Sequence, residues 1–276
     1  MTNPGPGDEH ARRAAATYGA AADHYNLPAL SFWDRFGAAT VSRLRLAPGH
    51  RVLDLCCGAG ASALPAARAV GTTGQVLGID LAEPMLDLAR RRAAGQGLAN
   101  VEFQQGDATN TGLPDGRFDA VVCVFGVFFA RDMTAFAAEM WRLVRPGGVL
   151  AVTTWGPGLF EPGNGIFWEA VAAVAPSLYK AFNPWDEITT PGALAGLLAG
   201  AGVTGPAAEA ISGQHPLRHP EQFWDIVLGS GYRATIEALS QEQRNTVQER
   251  VISELSSAAV TAVRTDVVFG TAERRR

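Results

Sequence analysis

The stretch VLDLCCGAG, residues 52–60, decides the fold of this 276-residue chain. Val52–Leu55 is a short apolar run that predicts a buried strand, and Gly58 and Gly60 predict a tight turn that opens a helix. Asp54 lies at the carboxyl end of the strand, where the pyrophosphate of a dinucleotide would approach and a carboxylate would repel it. The stretch therefore predicts a ligand without phosphate at this turn, unless Asp54 is an ordinary hydrogen-bonded residue at a strand end.

Two further acids follow the next two predicted strands. Gly78-Ile79-Asp80 ends the second strand, and a carboxylate there can accept both hydroxyls of a ribose. Gly106-Asp107-Ala108 follows the third strand, where Asp107 is either a turn residue or the acceptor of an adenine amino group. Three acids at successive strand ends of a doubly wound sheet line one crevice, which is where such sheets bind ligands. S-adenosylmethionine (SAM) has no phosphate and carries an α-ammonium and a sulfonium, so it suits this crevice.

Short β-rich runs alternate with amphipathic helices between residues 51 and 154, a pattern typical of βαβ units and a parallel sheet. Strands are predicted at 51–55, 75–79, 101–105, 118–124, 149–153, 207–212 and 264–270. Helices between the first five strands are predicted at 61–70, 84–94 and 133–144. The sequence therefore predicts an α/β fold with a Rossmann-like, doubly wound sheet of seven mostly parallel strands.

The segments around this alternating block differ from it in composition. An aromatic-rich region after residue 154 predicts a helical lid inserted after the fifth strand. The predicted division is a flexible tail (1–10), an N-terminal helical cap broken near Pro28 (11–46), a SAM-binding core (47–154), a substrate lid with the sixth strand (155–235), and the last helix with the seventh strand (236–276).

Charge and cysteine content exclude several classes of protein. The net charge of −4 provides no basic surface for nucleic acid or anionic lipid. The longest apolar run, residues 120–130, is too short to span a bilayer, and the polar N-terminus does not resemble a secretory signal. The odd set of Cys56, Cys57 and Cys123 argues against a disulfide framework and for a reducing compartment. We therefore expect a cytoplasmic protein whose partner is a small molecule, without nucleic acid or membrane insertion; the oligomeric state stays open.

The motifs in order resemble those of a known family. They are VLDLCCGAG (52–60), GID (78–80), GDA (106–108), FDAV (118–121) and LVRPGG (143–148). Together they resemble the class I SAM-dependent methyltransferases, and within them the ubiquinone/menaquinone-biosynthesis (type 11) enzymes and their relatives in specialised metabolism. The resemblance covers about residues 18–154. It implies SAM as the cofactor and S-adenosylhomocysteine (SAH) as the product.

The resemblance also implies which residues bind SAM. The implied set is Tyr18, Tyr25, Asp54, Cys56, Gly58, Gly60, Asp80, Leu81, Met85, Asp107, Ala108 and Phe125. Tyr18 and Tyr25 resemble the family's aromatic pair that closes over the cofactor, although core packing at helical spacing explains them equally well. The family usually has Gly where this chain has Cys56. If that position requires a positive φ, Cys56 is strained there.

Residues 123–129 cover the end of the fourth predicted strand and the turn after it. They lack the polar residue and paired prolines that would indicate amide or base nitrogen methylation. No metal is expected, because no His, Asp or Glu cluster with ligand spacing accompanies them. The sequence therefore predicts methyl transfer to an oxygen or carbon of a small, largely apolar or aromatic metabolite. The alternative is a SAM-fold protein that catalyses cyclisation or isomerisation without methyl transfer.

Catalytic and substrate-binding residues are predicted outside the motifs. His24 and His215 are candidate general bases, because histidine titrates near neutral pH, although a role without catalysis explains each of them too. Glu161, His219 and Tyr25 are further candidates. The acceptor pocket is predicted to be walled by Trp155, Phe160, Trp168, Tyr179 and Trp185, whose other interpretation is packing of the lid on the sheet.

Overall fold

The computed structural model describes residues 9–275, with side chains described from residue 12 onward. Within this range the chain forms nine strands: β1 (Arg51–Leu55), β2 (Gln75–Asp80), β3 (Val101–Gln105), β4 (Phe118–Val124), β5 (Val144–Trp155), β6 (Ala207–Ile211), β7 (Gln214–Pro216), β8 (Ala262–Arg264) and β9 (Val267–Glu273). Seven of them form one sheet in the order β3-β2-β1-β4-β5-β9-β6. Strands β1 to β5 pair in parallel, and β9 lies antiparallel between β5 and β6. The predicted α/β fold with a seven-stranded, mostly parallel sheet is confirmed.

The helices of the same range are α1 (Glu9–Ala21), α2 (Phe32–Ser42), α3 (Ala63–Val70), α4 (Glu83–Gly95), α5 (Met133–Leu143), α6 (Gly163–Val174), α7 (Pro191–Gly200), α8 (Glu221–Leu228), α9 (Arg233–Ala238) and α10 (Gln241–Ser257). Alternate residues of a strand face opposite sides of a sheet. Val52 and Val122 pack with α3 and α4 on one side, whereas Leu53 and Val121 pack with α5 and α7 on the other. Both faces are therefore covered, which explains why the central strands are apolar at nearly every position.

The chain changes direction at the centre of the sheet. From β1 it proceeds outward through β2 to β3, and it then returns to place β4 on the opposite side of β1. The connections after β1 and β4 consequently diverge, and this divergence opens a crevice at the carboxyl ends of the two strands.

Helices α1 and α2 cover this crevice from the N-terminal side. Thr40 of α2 and Thr153 of β5, both buried, share a hydrogen bond of 2.7 Å that ties α2 to the sheet. Gly37, also on α2, lies directly against the backbone of Ala61 and Ser62, just before α3. The predicted tail, residues 1–10, lies outside the described residues apart from Glu9 and His10, which begin α1.

Helices α6 to α9 follow β5, with α7 and β6 packed at the sheet edge. A separate two-stranded sheet of β7 and β8, which the sequence did not predict, joins this region to the C-terminal segment. The predicted strand 264–270 is divided at Asp266. The Asp266 carboxylate accepts a hydrogen bond from the Gly213 amide, and the Asp266 backbone carbonyl accepts one from the Gly156 amide. The chain therefore turns between β8 and β9. In the described part of the chain, no helix has both the length and the apolar character needed to cross a bilayer.

Two helical glycines give opposite expectations for substitution by alanine. A Cβ on Gly37 would lie 2.2 Å from the Ala61 carbonyl oxygen, whereas a Cβ on Gly196, exposed on α7, would meet nothing within 4 Å. We expect Gly37→Ala to lower the free energy of unfolding by about 2 kcal/mol through overpacking, and Gly196→Ala to raise it by about 0.5–1 kcal/mol. Urea denaturation measures both values. Equal stabilities for the two variants would contradict the close packing of α2 on the segment before α3.

Candidate functional site

The crevice between the strand ends and the cap forms a pocket of about 970 Å³, including its open mouth. We call it the cofactor pocket. Ten of the twelve residues expected to bind SAM line it: Tyr18, Tyr25, Cys56, Gly58, Asp80, Leu81, Met85, Asp107, Ala108 and Phe125. Asp54 and Gly60 do not line it. Asp54 lies behind Ser62, which is itself part of the lining, and Gly60 packs against Leu64 and Phe103.

The turn after β1 has an unusual backbone. Cys56 (φ 57°), Gly58 (φ 48°) and Gly60 (φ 82°) all adopt left-handed conformations, which are costly for a residue with a side chain. Phe125, after β4, has a φ of 55° and also lines the cofactor pocket. Strain of this kind is characteristic of ligand-binding sites that the surrounding fold holds in place.

Asp80 connects the ends of β1 and β2. Its Oδ2 accepts a hydrogen bond from the Gly58 amide at 2.8 Å, and its Oδ1 accepts one from the Ala82 amide at 2.9 Å. Burial raises the pKa of Asp80 in spite of these bonds. Asp80 therefore holds the glycine turn in place and also presents a carboxylate at the pocket wall.

Asp54 is the most deeply buried acid near the pocket, at 1% exposure. Its Oδ2 accepts a hydrogen bond from the Ser62 hydroxyl at 2.7 Å, whereas its Oδ1 has no hydrogen-bond partner among the described residues. Burial raises the pKa of Asp54 to about 7, and the charge of Asp80 adds to this shift. A carboxylate with an unsatisfied oxygen in this position is suited to a cationic ligand group, which would compensate its burial.

Asp107 lies at the other end of the pocket, after β3. Its Oδ1 accepts hydrogen bonds from the Thr109 amide at 2.8 Å and the Thr109 hydroxyl at 2.7 Å. Asp107 is therefore a turn residue, as one of the two interpretations predicted. Because Asp107 and Ala108 also line the pocket, the same residues remain available to a ligand.

Aromatic side chains line much of the rest of the pocket, among them Tyr18, Tyr25, Trp33, Phe125 and Phe129. Tyr25 stacks on Trp33 with ring centroids 6.0 Å apart, and Tyr18 meets Phe129 edge-on at 5.4 Å. Burial, together with the charge of Asp80, raises the pKa of Tyr18 well above its ordinary value. The phenol therefore stays protonated, and this wall of the pocket is aromatic and uncharged.

The structure places neither candidate histidine in this lining. His24 is partly exposed and pairs with Asp23 at 2.6 Å. His215, on β7, is buried edge-on against Phe32 at 5.2 Å, and burial lowers its pKa. Both rings make other contacts, with Asp23 and with Phe32, and a role for either histidine as general base stays a prediction. Glu161 and His219 also lie outside the lining, and among the predicted bases only Tyr25 belongs to it.

The five residues predicted to wall the acceptor pocket separate into two groups. Trp155 stacks on Phe125 at 3.8 Å and packs on Phe160 at 5.8 Å, so both belong to a buried aromatic core behind the cofactor pocket. Trp168, Tyr179 and Trp185 line a second cavity of about 870 Å³, including its open mouth, within the region after β5, together with Glu161, Asn164, Lys180 and Tyr232. Trp155 and Phe160 therefore lie apart from the other three residues, and the assignment of all five to an acceptor pocket stays a prediction.

Sequence analysis missed several residues that line the cofactor pocket, among them Trp33, Ser62 and Phe129. Ser62 follows the glycine turn by two residues, and this spacing could have identified it. Trp33 carries no such signal, since it lies in the cap and reaches the pocket only through the packing of α2.

The left-handed backbone at Cys56 leads to a test of strain. Alanine retains the Cβ that makes this conformation costly, whereas glycine removes it. We expect Cys56→Gly to be more stable than Cys56→Ala by about 1 kcal/mol, measured by urea denaturation. A Cys56→Ala variant as stable as Cys56→Gly would show that the turn relaxes to another conformation.

Comparisons with known proteins show which family the chain resembles. Residues 52–148 match the family model described as a methyltransferase domain. The chain is 33% identical over 204 residues to the nocamycin O-methyltransferase of Saccharothrix syringae, covering 65% of this chain and 72% of that protein. It is 36% identical over 121 residues to the demethylmenaquinone methyltransferase of a Geobacillus species, covering 44% of this chain and 52% of the relative.

A solved structure shares the fold. Phosphoethanolamine N-methyltransferase 2 of Haemonchus contortus, in complex with SAM, matches 88% of this chain and 53% of its own with a TM-score of 0.54 at 21% identity. At that identity the likeness shows the fold alone. The ordered motifs, the seven-stranded sheet and the sequence relatives establish that the chain belongs to the class I SAM-dependent methyltransferases.

Proposed function

We propose that this enzyme methylates an oxygen or carbon atom of a small, largely apolar or aromatic metabolite. The observation that carries the proposal is the aromatic wall of the cofactor pocket, formed by Tyr18, Tyr25, Trp33, Phe125 and Phe129. An apolar wall of this kind favours an acceptor that is itself apolar, since burial of apolar surface would supply its binding energy.

The residues at the pocket fit SAM, which would supply the transferable methyl group on its sulfonium. Asp54, buried behind Ser62, would attract the α-ammonium through its charge, and Asp80 would accept the ribose hydroxyls. Asp107 and Ala108 would bind the adenine edge, with Leu81 and Met85 packed on its faces. The acids therefore divide the pocket into a methionine end near Asp54 and an adenine end near Asp107.

The contribution of the chain to the reaction would be alignment and exclusion of water. Methyl transfer is an in-line displacement, so its barrier falls when acceptor, methyl and sulfur are held in line in a dry pocket. The buried rings of Trp33 and Phe125, 5.5 Å apart, would hold the acceptor against the cofactor without polar competition.

The second cavity would hold the part of the acceptor that lies far from the methylated atom. Trp185, in its lining, meets Phe128 edge-on at 5.4 Å, and Phe128 adjoins Phe129 of the cofactor pocket. The two spaces thus share a wall of aromatic side chains. Trp168, Tyr179 and Trp185 would contact an acceptor long enough to extend along that wall.

The proposal is tested by incubating the protein with SAM labelled with ¹³C in its methyl group and a panel of phenols, quinols and enols. We expect label in an O-methyl or C-methyl product, which the ¹³C chemical shift distinguishes. Asp80→Asn should lower SAM affinity about tenfold or more through loss of charge-assisted hydrogen bonds, and should reduce turnover accordingly. Asp87→Asn, exposed on α4, is the matched control. Conversion of a panel member without transfer of label would favour the cyclisation or isomerisation alternative.

The raised pKa of Asp54 predicts that cofactor affinity depends on pH. Below pH 7 the free protein holds Asp54 largely protonated, whereas a bound α-ammonium stabilises the carboxylate and lowers its pKa. Binding below pH 7 must therefore release a proton, and the affinity for SAH should rise about tenfold between pH 6 and pH 8. Isothermal titration in buffers of different ionisation enthalpy measures both effects.

Asp54→Asn is the control for this pH dependence, because the amide cannot titrate. Its affinity for SAH should stay constant between pH 6 and pH 8. The same rise in the variant would assign the dependence to another group, with Asp80 the first candidate because its pKa is also raised.

A further inference from the structure

The guanidinium of Arg92 connects the glycine turn to the cap. Arg92 lies on α4, and its side chain is 17% exposed. Its Nη1 donates a hydrogen bond of 2.9 Å to the backbone carbonyl of Ala59, between the two glycines of the turn. Its Nη2 donates one of 2.5 Å to Asp34 Oδ2, on α2. One side chain therefore links the helix after β2, the turn after β1 and the cap.

The carbonyl of Ala59 depends on this bond. Ala59 is fully buried, and among the described residues no other group donates a hydrogen bond to its carbonyl. A buried carbonyl without a donor lowers stability, so without Arg92 the Ala59 peptide would turn toward another donor. Gly58 and Gly60, on either side, have no Cβ to resist that rotation. Arg92 therefore selects the orientation of the Ala59 carbonyl.

The glycine turn is thus held by two groups of opposite charge. Asp80 accepts a hydrogen bond from the Gly58 amide, and Arg92 donates one to the Ala59 carbonyl. An ionised carboxylate only accepts and a guanidinium only donates, so neither group can replace the other. Asp80 lines the cofactor pocket, whereas Arg92 does not belong to the lining. Arg92 therefore acts on the shape of the turn from behind it.

Asp34 connects the guanidinium to the aromatic wall of the pocket. It follows Trp33, which belongs to the lining, as does Tyr25. Burial raises the pKa of Tyr25 well above its ordinary value, and the nearby charge of Asp34 raises it further, whereas that of Arg92 lowers it. The ion pair thus lies close to the lining. Arginine suits this position because its planar fork can bind two acceptors at once, whereas lysine presents a single point charge.

We propose that Arg92 is a cofactor-positioning residue. By binding the Ala59 carbonyl and Asp34 together, it keeps the glycine turn in the conformation that binds SAM and fixes the turn relative to the cap. It acts through the turn and does not touch the cofactor. This inference rests on the cofactor assignment of the proposed function, and it does not depend on the identity of the methyl acceptor.

Arg90, two residues earlier on α4, is a matched control. Its guanidinium donates to the carboxylates of Glu83 and Asp87 and, at 3.0 Å, to the backbone carbonyl of Phe103. Arg90 thus makes the same kinds of bond as Arg92, but none of them reaches the glycine turn or the cap. A change that follows from the loss of an arginine on α4 in general should appear in variants of both residues.

Isothermal titration of the full chain with SAH is the test. We expect Arg92→Met to weaken SAH about tenfold through loss of charge-assisted hydrogen bonds, and Arg90→Met to bind within about twofold of the wild type. Arg92→Lys should lie between the wild type and Arg92→Met, because lysine replaces the fork by a single point charge. With an acceptor from the labelled-SAM panel, Arg92→Met should raise KM for SAM and leave kcat at saturating SAM unchanged.

Asp34→Asn tests the contact from the side of the cap. Asp34 is 52% exposed, so the variant should fold. We expect it to weaken SAH about threefold, the scale of an exposed ion pair. The double variant with Arg92→Met should bind SAH no more weakly than Arg92→Met alone, because the two residues act as a unit. Additive losses would overturn the proposed link between the turn and the cap.

Three further results would overturn the proposal: equal weakening in Arg90→Met and Arg92→Met, wild-type affinity in Arg92→Met, and a lower kcat with unchanged SAM affinity. If the wild-type protein does not bind SAH, the cofactor assignment itself fails. In that case, or if Arg92→Met does not fold, hydrogen exchange compares ligand-free Asp34→Asn with the wild type. Amides of residues 56–62 should exchange faster in the variant, and unchanged exchange would contradict the role of Arg92 in holding the turn.

Discussion

The hydrogen bond between the Gly58 amide and the Asp80 carboxylate, 2.8 Å long, is the contact on which the cofactor pocket depends. It joins the glycine turn after β1 to the end of β2, and so fixes the separation of two strand ends that the chain visits 22 residues apart. The same turn holds Cys56 and Gly60 in left-handed conformations and directs the chain into α3. Without this connection the turn would have several accessible conformations, and the pocket floor would lose its defined shape.

A second constraint comes from the cap, which closes the pocket with rings rather than charges. Trp33 and Phe36 on α2 pack against Phe125 and Trp155, which belong to the segments after β4 and within β5. These contacts make one aromatic core from three separate parts of the chain. The result is an aromatic wall in the same pocket as Asp80 and Asp107, which suits the proposed in-line transfer from a cationic donor.

The cofactor pocket and the second cavity differ in whether the match to the methyltransferase domain covers them. The match to the methyltransferase domain ends at residue 148, so it covers the acids and the glycine turn but not the second cavity. The alignment to the demethylmenaquinone methyltransferase spans about half of that relative. The proposed acceptor contacts in the region after β5 therefore lie outside the matched domain. Function within such a fold has to be argued from the residues of that region.

The sequence by itself determined the sheet and the order of acids along it, because strand periodicity, glycine turns and strand-end positions are local properties. Asp54, Asp80 and Asp107 could be placed at one sheet edge from these properties alone. Only the tertiary structure decided that His24 and His215 lie outside the lining of the cofactor pocket, that Trp155 and Phe160 separate from Trp168, and that Trp33 reaches the cofactor pocket. Those positions depend on how the cap and the segment after β5 pack on the sheet. Such contacts join residues more than a hundred positions apart, and no local pattern in the chain specifies them.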